Sequence, residues 1–160
     1  MSLPTCAQAT IDIAARPTTI YDLVSDVTRT GEWSPECVAC VWLTDERGVG
    51  ARFKGRNRRG PARWSTIAEV MVADPGREFS FATLHKDTPA TRWTYRFEAI
   101  EGGTQMTESF EALHTPAIFG LVERLFIRDR QQQLEGGIEH TIAAIKAATE
   151  AQQSGRPTLK

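Results

Sequence analysis

The chain has almost no net charge to offer a polyanion. Its 19 Lys and Arg stand against 20 Asp and Glu, a formal net charge of -1 over 160 residues. Any pull toward DNA, RNA or an anionic membrane must therefore come from a local patch. Long apolar runs are missing as well. None approaches the ~20 residues of a membrane-spanning helix, so no stable membrane insertion is expected. The opening MSLPTCAQAT has neither a basic n-region nor an apolar h-region, so no signal peptide is expected. The cysteine count is three, an odd number that suits a reducing cytoplasm better than a disulfide framework.

Histidine is scarce too, and its three copies are scattered. His85 falls in a loop, His114 at a strand end and His140 on a helix, so no Ser-His-Asp or Cys-His set presents itself. Cys37 and Cys40 do form a C-x-x-C. A zinc site would want a second such pair or nearby histidines, so neither a metal nor a cofactor is expected. A redox pair should open a helix, yet VACVWL reads on as a strand, where positions three apart point to opposite faces. The expectation is two buried structural thiols.

What remains is enough for one domain, residues 1–150, with 151–160 as a flexible tail. At this length roughly 70% of the unfolded surface can be buried. ATIDIA alternates as a first strand. RPTTIYDLVSDV places Pro17 in the first helical turn and sets Ile20, Leu23, Val24 and Val27 on one stripe. TRTGEWSPE is a short link. Six strands follow: CVACVWL, ARFKGRNR, ARWSTIAEVMVA, REFSFATL, TRWTYRFEAI and TQMTESFEAL. HKDTPA reads as a polar loop, and Glu101-Gly102-Gly103 as a hairpin turn. From Pro116 to about Thr149 the pattern is helical. Sequential strands with short turns and segregated helices mean α+β, with a seven-stranded antiparallel sheet. Only the C-terminal helix is large enough to cover that sheet.

One segment gathers positive charge. RFKGRNRRGPARW holds Arg52, Lys54, Arg56, Arg58, Arg59 and Arg63, six of the 19 cations. Arg52, Lys54, Arg56 and Arg58 alternate with Phe53, Gly55 and Asn57, so the cations share one strand face and Phe53 takes the other. A solvated face that discourages edge pairing accounts for this. An anionic partner or membrane surface is an alternative. Single-strand nucleic-acid binders interleave cations with exposed aromatics, whereas here the aromatics point away, so no nucleic-acid partner is expected.

The other face of the sheet is aromatic. Phe53, Trp64, Phe79, Phe81, Trp93, Tyr95, Phe97 and Phe110 fall at alternating positions. That pattern fits an ordinary packed core. Two features point instead to a partly hollow interior: the closing helix loses its apolar stripe over Arg128–Gln133, and Gly136-Gly137 remove side-chain volume. In TQMTESFEAL, Met106, Glu108 and Phe110 share a face, so Glu108 is carried inward with its apolar neighbours. An inward carboxylate must be paired, hydrated or protonated. Arg128 or Arg130 could pair with it, or Glu108 could orient a ligand or accept its proton.

RPTTIYDLVSDVTRTGEWSPE, WTYRFEAIEGGTQMTESFE and the closing helix together resemble the START/Bet v 1-like (SRPBCC) superfamily, in particular its polyketide cyclase/dehydrase and lipid transport group. The resemblance spans about residues 8 to 149. It implies a helix-grip fold, a curved antiparallel sheet around the C-terminal helix with an apolar cavity between them. The implied role is binding of a hydrophobic small molecule such as a lipid or polyketide. The sites expected to line the cavity are Trp33, Phe53, Trp64, Phe81, Trp93, Tyr95, Glu108 and Phe110, with a mouth near Trp33 and residues 115–120. The alternative is a polyketide cyclase or dehydratase acting in the same cavity, with Glu108 as the candidate catalytic residue. Cyclase relatives carry a cavity tyrosine and a cavity arginine at places that fall near Val41 and at Ala68. Neither side chain is present, which favours binding over catalysis. Room is left for a homodimer.

Overall fold

A computed structural model describes residues 6–114 and 127–155, with the backbone alone for 127–130. The order is β1 (Cys6–Ile13), α1 (Pro17–Ser25), a 3₁₀ helix (Val27–Glu32), β2 (Cys37–Trp42), β3 (Arg52–Arg59), β4 (Ala62–Asp74), β5 (Glu78–His85), β6 (Thr88–Ile100), β7 (Gly103–Ala112) and α2 (Ile127–Ser154). Pro17 opens α1, where its missing N–H is no loss, and Ile20, Tyr21, Leu23 and Val24 turn inward. The Asp26 side chain accepts from the Thr28 N–H at 3.2 Å and so starts the 3₁₀ helix.

All seven strands form one antiparallel sheet in the order β1-β7-β6-β5-β4-β3-β2. Each hairpin neighbour is the next strand in sequence. Only the β1–β7 pairing closes over a distance, leaving β1 and β2 as the edges. α2 packs chiefly on β1 and touches β7 and α1. It buries Ile138, Thr141, Ile142, Ile145 and Thr149. The two threonines satisfy their hydroxyls within the helix, on the Gly137 and Ile145 carbonyls. At the far end of the sheet, Arg59 beside the β3–β4 turn hydrogen-bonds Gln133 on α2. The sheet therefore curls around the helix, and the architecture is the expected α+β helix grip.

Several local expectations change. HKDTPA is not a loop: Lys86 and Asp87 take left-handed φ values of 49° and 63° and reverse the chain in two residues, as a tight hairpin turn requires. Thr88 and Pro89 then pair with His85 and Leu84. α2 runs to Ser154, into the stretch read as a frayed tail. Gly136 is exposed, and among the described residues an added Cβ at Gly137 would meet only Pro35, so neither glycine faces the aromatic side of the sheet there. Trp33 is buried in the core rather than placed at a rim. The expected start of the last helix at Pro116 and the mouth at 115–120 lie outside the described residues.

The two faces of the β3–β4 hairpin separate as the alternation requires. Phe53 is buried, while Lys54, Arg56 and Arg58 are exposed. Arg52 is half-buried and pairs with Glu69 and Asp87, each at 2.8 Å.

Candidate functional site

Pairing register assembles the inner face row by row. Val70, Phe81, Trp93 and Phe110 lie side by side across four strands, and Phe79, Tyr95, Glu108 and Ala9 form the next row. The rings touch in series. Trp42 meets Phe53 at 5.6 Å between centroids, Phe53 meets Phe81 at 5.2 Å, and Phe81 meets Phe79 at 6.2 Å. Tyr21 of α1 closes edge-on against Phe79 and Phe97. Trp93 and Phe110 make a separate pair at 5.0 Å. Of the residues expected to line a cavity, Phe53, Phe81, Trp93, Tyr95, Glu108 and Phe110 thus share one wall. Trp64 has inner-face register but sits at the hairpin end, 39% exposed.

Within this wall stands one acid. Glu108 is 2% exposed, as its alternation with Met106 and Phe110 requires. The Tyr95 hydroxyl, from the paired position on β6, donates to Glu108 Oε1 at 3.1 Å. Oε2 is buried and has no hydrogen-bond partner among the described residues. The side chains of Arg128 and Arg130, expected as partners, lie outside the described residues. Removal from water lifts the Glu108 pKa from 4.5 to about 8, against the lowering effect of the Tyr95 hydrogen bond. The carboxyl is therefore neutral at pH 7. Burial, followed by the charge Glu108 would carry, pushes the Tyr95 phenol well above its usual value. The pair is a neutral acid beside a neutral phenol, set in aromatic surroundings.

A second polar group on the inner side was missed. Cys37 and Cys40 do not point apart. A bulge between Cys37 and Ala39 inserts one residue, Val38, so that Cys37 lies opposite Asn57 and Cys40 opposite Gly55, two places along on β3. Both thiols turn to the same buried side, with the sulfurs 3.4 Å apart. Trp42 and Tyr21 were also missed. Trp42 follows Cys40 by two and so shares its face, while Tyr21 neighbours the apolar stripe of α1.

The three histidines are exposed, away from this wall, and no cluster of three or more metal-ligating side chains occurs among the described residues. Nor does any described helix have the length and apolarity to cross a membrane. Val41 lies on the outer face, 55% exposed, and Ala68 is buried on the inner one. Neither position therefore brings a tyrosine or an arginine to the wall. Two surface clefts are present: one of about 300 Å³ at Ala14–Pro17 beside Gly102 and Gln153, away from the wall, and one of about 310 Å³ between α1, Trp42, Arg47 and Phe79, at the wall's Trp42–Phe79 end.

The sequence matches the family model for polyketide cyclase / dehydrase and lipid transport over residues 4–148. A solved structure, the Polyketide_cyc-like protein Cgl2372 from Corynebacterium glutamicum, is 36% identical with full coverage of both chains and a TM-score of 0.68. TTHA0849 from Thermus thermophilus shares the fold at 16% identity and TM-score 0.72, covering 92% of this chain and 98% of that one. The di-domain ARO/CYC StfQ of the steffimycin biosynthetic pathway does so at 16% identity and TM-score 0.73, over 95% of this chain and 52% of that one. No curated protein sequence matches.

Proposed function

Because the chain belongs to the polyketide cyclase/dehydrase and lipid transport family, we propose that it binds a hydrophobic small molecule between the aromatic sheet face and α2. The Tyr95–Glu108 pair would be the polar end of that site. One observation carries this reading: Glu108 is buried in an aromatic wall with Oε2 unpartnered among the described residues. Leaving a buried polar atom unpaired costs about 1–3 kcal/mol. A methionine of similar shape would avoid that cost, so a carboxyl here serves something other than packing. A ligand with one oxygen acceptor on an apolar body would supply the missing partner to the protonated Oε2 and bury its remainder against Phe81, Trp93 and Phe110.

The same pair supports a second reading, a cyclase- or dehydratase-type activity. An acid with a pKa of about 8 can lend a proton to a ligand oxygen and recover it near neutral pH. The apolar side chains at Val41 and Ala68 count against it, so binding is the first reading.

Titration with fatty acids and flat aromatic ketones, followed by tryptophan fluorescence and melting temperature, tests the proposal. A saturable fluorescence change with a raised melting temperature is expected, since a ligand that binds only the folded chain stabilises it. Absence of any shift across the panel would return the inner face to the status of a solid core.

A further inference from the structure

The thiol pair on β2 plays no part in the ligand reading, yet its geometry is specific. We propose that Cys37 and Cys40 form a redox modification site, a facing dithiol that a small peroxide converts to an intramolecular disulfide. The bulge brings the two sulfurs to 3.4 Å, and a disulfide needs about 2.05 Å. The remaining closure of about 1.4 Å falls on β2, an edge strand with pairing on one side only. Opposite Cys40 stands Gly55, where even a Cβ would lie 3.6 Å from one sulfur and 3.9 Å from the other. The absence of a side chain there leaves the sulfurs room to move toward each other.

The two thiols are also unequal. The hydrogen bond from Cys40 favours the Cys37 thiolate, while the same contact and burial hold the proton on Cys40. Cys37, which also contacts the Ala39 carbonyl at 3.7 Å, is taken as the attacking sulfur and Cys40 as the resolving one. The Cys37 thiolate attacks one peroxide oxygen, the O–O bond breaks, and hydroxide leaves to become water. The Cys40 sulfur then attacks the resulting sulfenic acid. The S–S bond forms, the S–O bond breaks, and a second water departs with the Cys40 proton. Two electrons have passed from the two sulfurs to peroxide. Exposures of 9% and 7% restrict the oxidant to a small uncharged molecule and exclude a protein thiol partner. Cys6 is exposed and serves as an internal control.

The test uses the folded chain and hydrogen peroxide. After exposure and removal of peroxide, the protein is denatured, alkylated with a maleimide and weighed intact. Before oxidation all three thiols should react. Afterwards only Cys6 should react, on a chain lighter by two hydrogens, with Cys37 and Cys40 joined in one peptide. Dithiothreitol should restore all three. In Cys40→Ser, whose hydroxyl can still donate to Cys37, dimedone added with the denaturant should trap a sulfenic acid on Cys37, whereas Cys37→Ser should yield no adduct on Cys40. Three reactive thiols after oxidation would overturn the proposal. So would sulfinic acid on either residue without a disulfide, or a crosslink that uses Cys6. The wild-type result stands whether or not the variants fold.

Discussion

Glu108 is a residue whose cost can be read through pH. Its pKa is about 8 in the folded chain and 4.5 as an ordinary glutamate. Below pH 4.5 both states hold the proton, and the group contributes no pH dependence. Between the two values the unfolded chain releases a proton that the folded chain keeps, so stability falls as pH rises. Above pH 8 the whole loss is in place, on the order of 5 kcal/mol. Glu108→Gln cannot ionise, so its stability relative to wild type should climb across that window. Urea unfolding of both proteins at about pH 4.5 and about pH 8.5 measures the difference, and two parallel profiles would contradict it. The inward direction of Glu108 was legible, because strict alternation in Met106-Glu108-Phe110 leaves it no other face. Its partner was not legible in the same way, because a buried carboxylate points first to a cation and not to a phenol. Yet the hairpin held the answer. Ile100 pairs with Gly103 around the Glu101-Gly102 turn, and five residues along each strand from there Tyr95 meets Glu108.

At the scale of elements, the informative piece is β2 with the 3₁₀ helix packed against it. Gly31 lies so close to this strand that an added Cβ would run into the Val38 carbonyl oxygen. Backbone cannot give way as a side-chain tip can. Gly31→Ala should therefore cost about 1–3 kcal/mol, measured by urea or thermal unfolding. An unchanged midpoint would mean that the helix does not pack so tightly on β2. This packing was not legible, and neither was the bulge. Val38, the extra residue, is as good a strand former as its neighbours, so nothing in CVACVW marks where pairing slips. Strict period two then put Cys37 and Cys40 on opposite faces. The β5–β6 turn misled for a related reason. Pro89 reads as loop, but its register on β5 carries an irregularity next to Leu84, and a strand with such a break tolerates proline. The antiparallel order, by contrast, was legible from short turns between alternating segments, with Gly102 (φ 81°) in one of the two-residue turns.

For the whole molecule, the order of elements carried the fold. One helix after the first strand and a long helix after the last leave the sheet a single way to cover its apolar face. The sequence could not separate a packed aromatic core from a wall that faces a ligand, because the same Phe, Trp and Tyr positions serve either purpose. The central claim is the proposal that the inner face takes up a small apolar molecule whose oxygen meets Glu108. Native mass spectrometry of the purified chain, before and after incubation with a hydrophobic cell extract, tests it most directly. The account predicts one noncovalent small-molecule adduct on the wild-type protein, lost on collisional activation and sharply reduced in a folded Glu108→Met variant. A bare polypeptide mass under every condition, or an adduct retained equally by the variant, would contradict it.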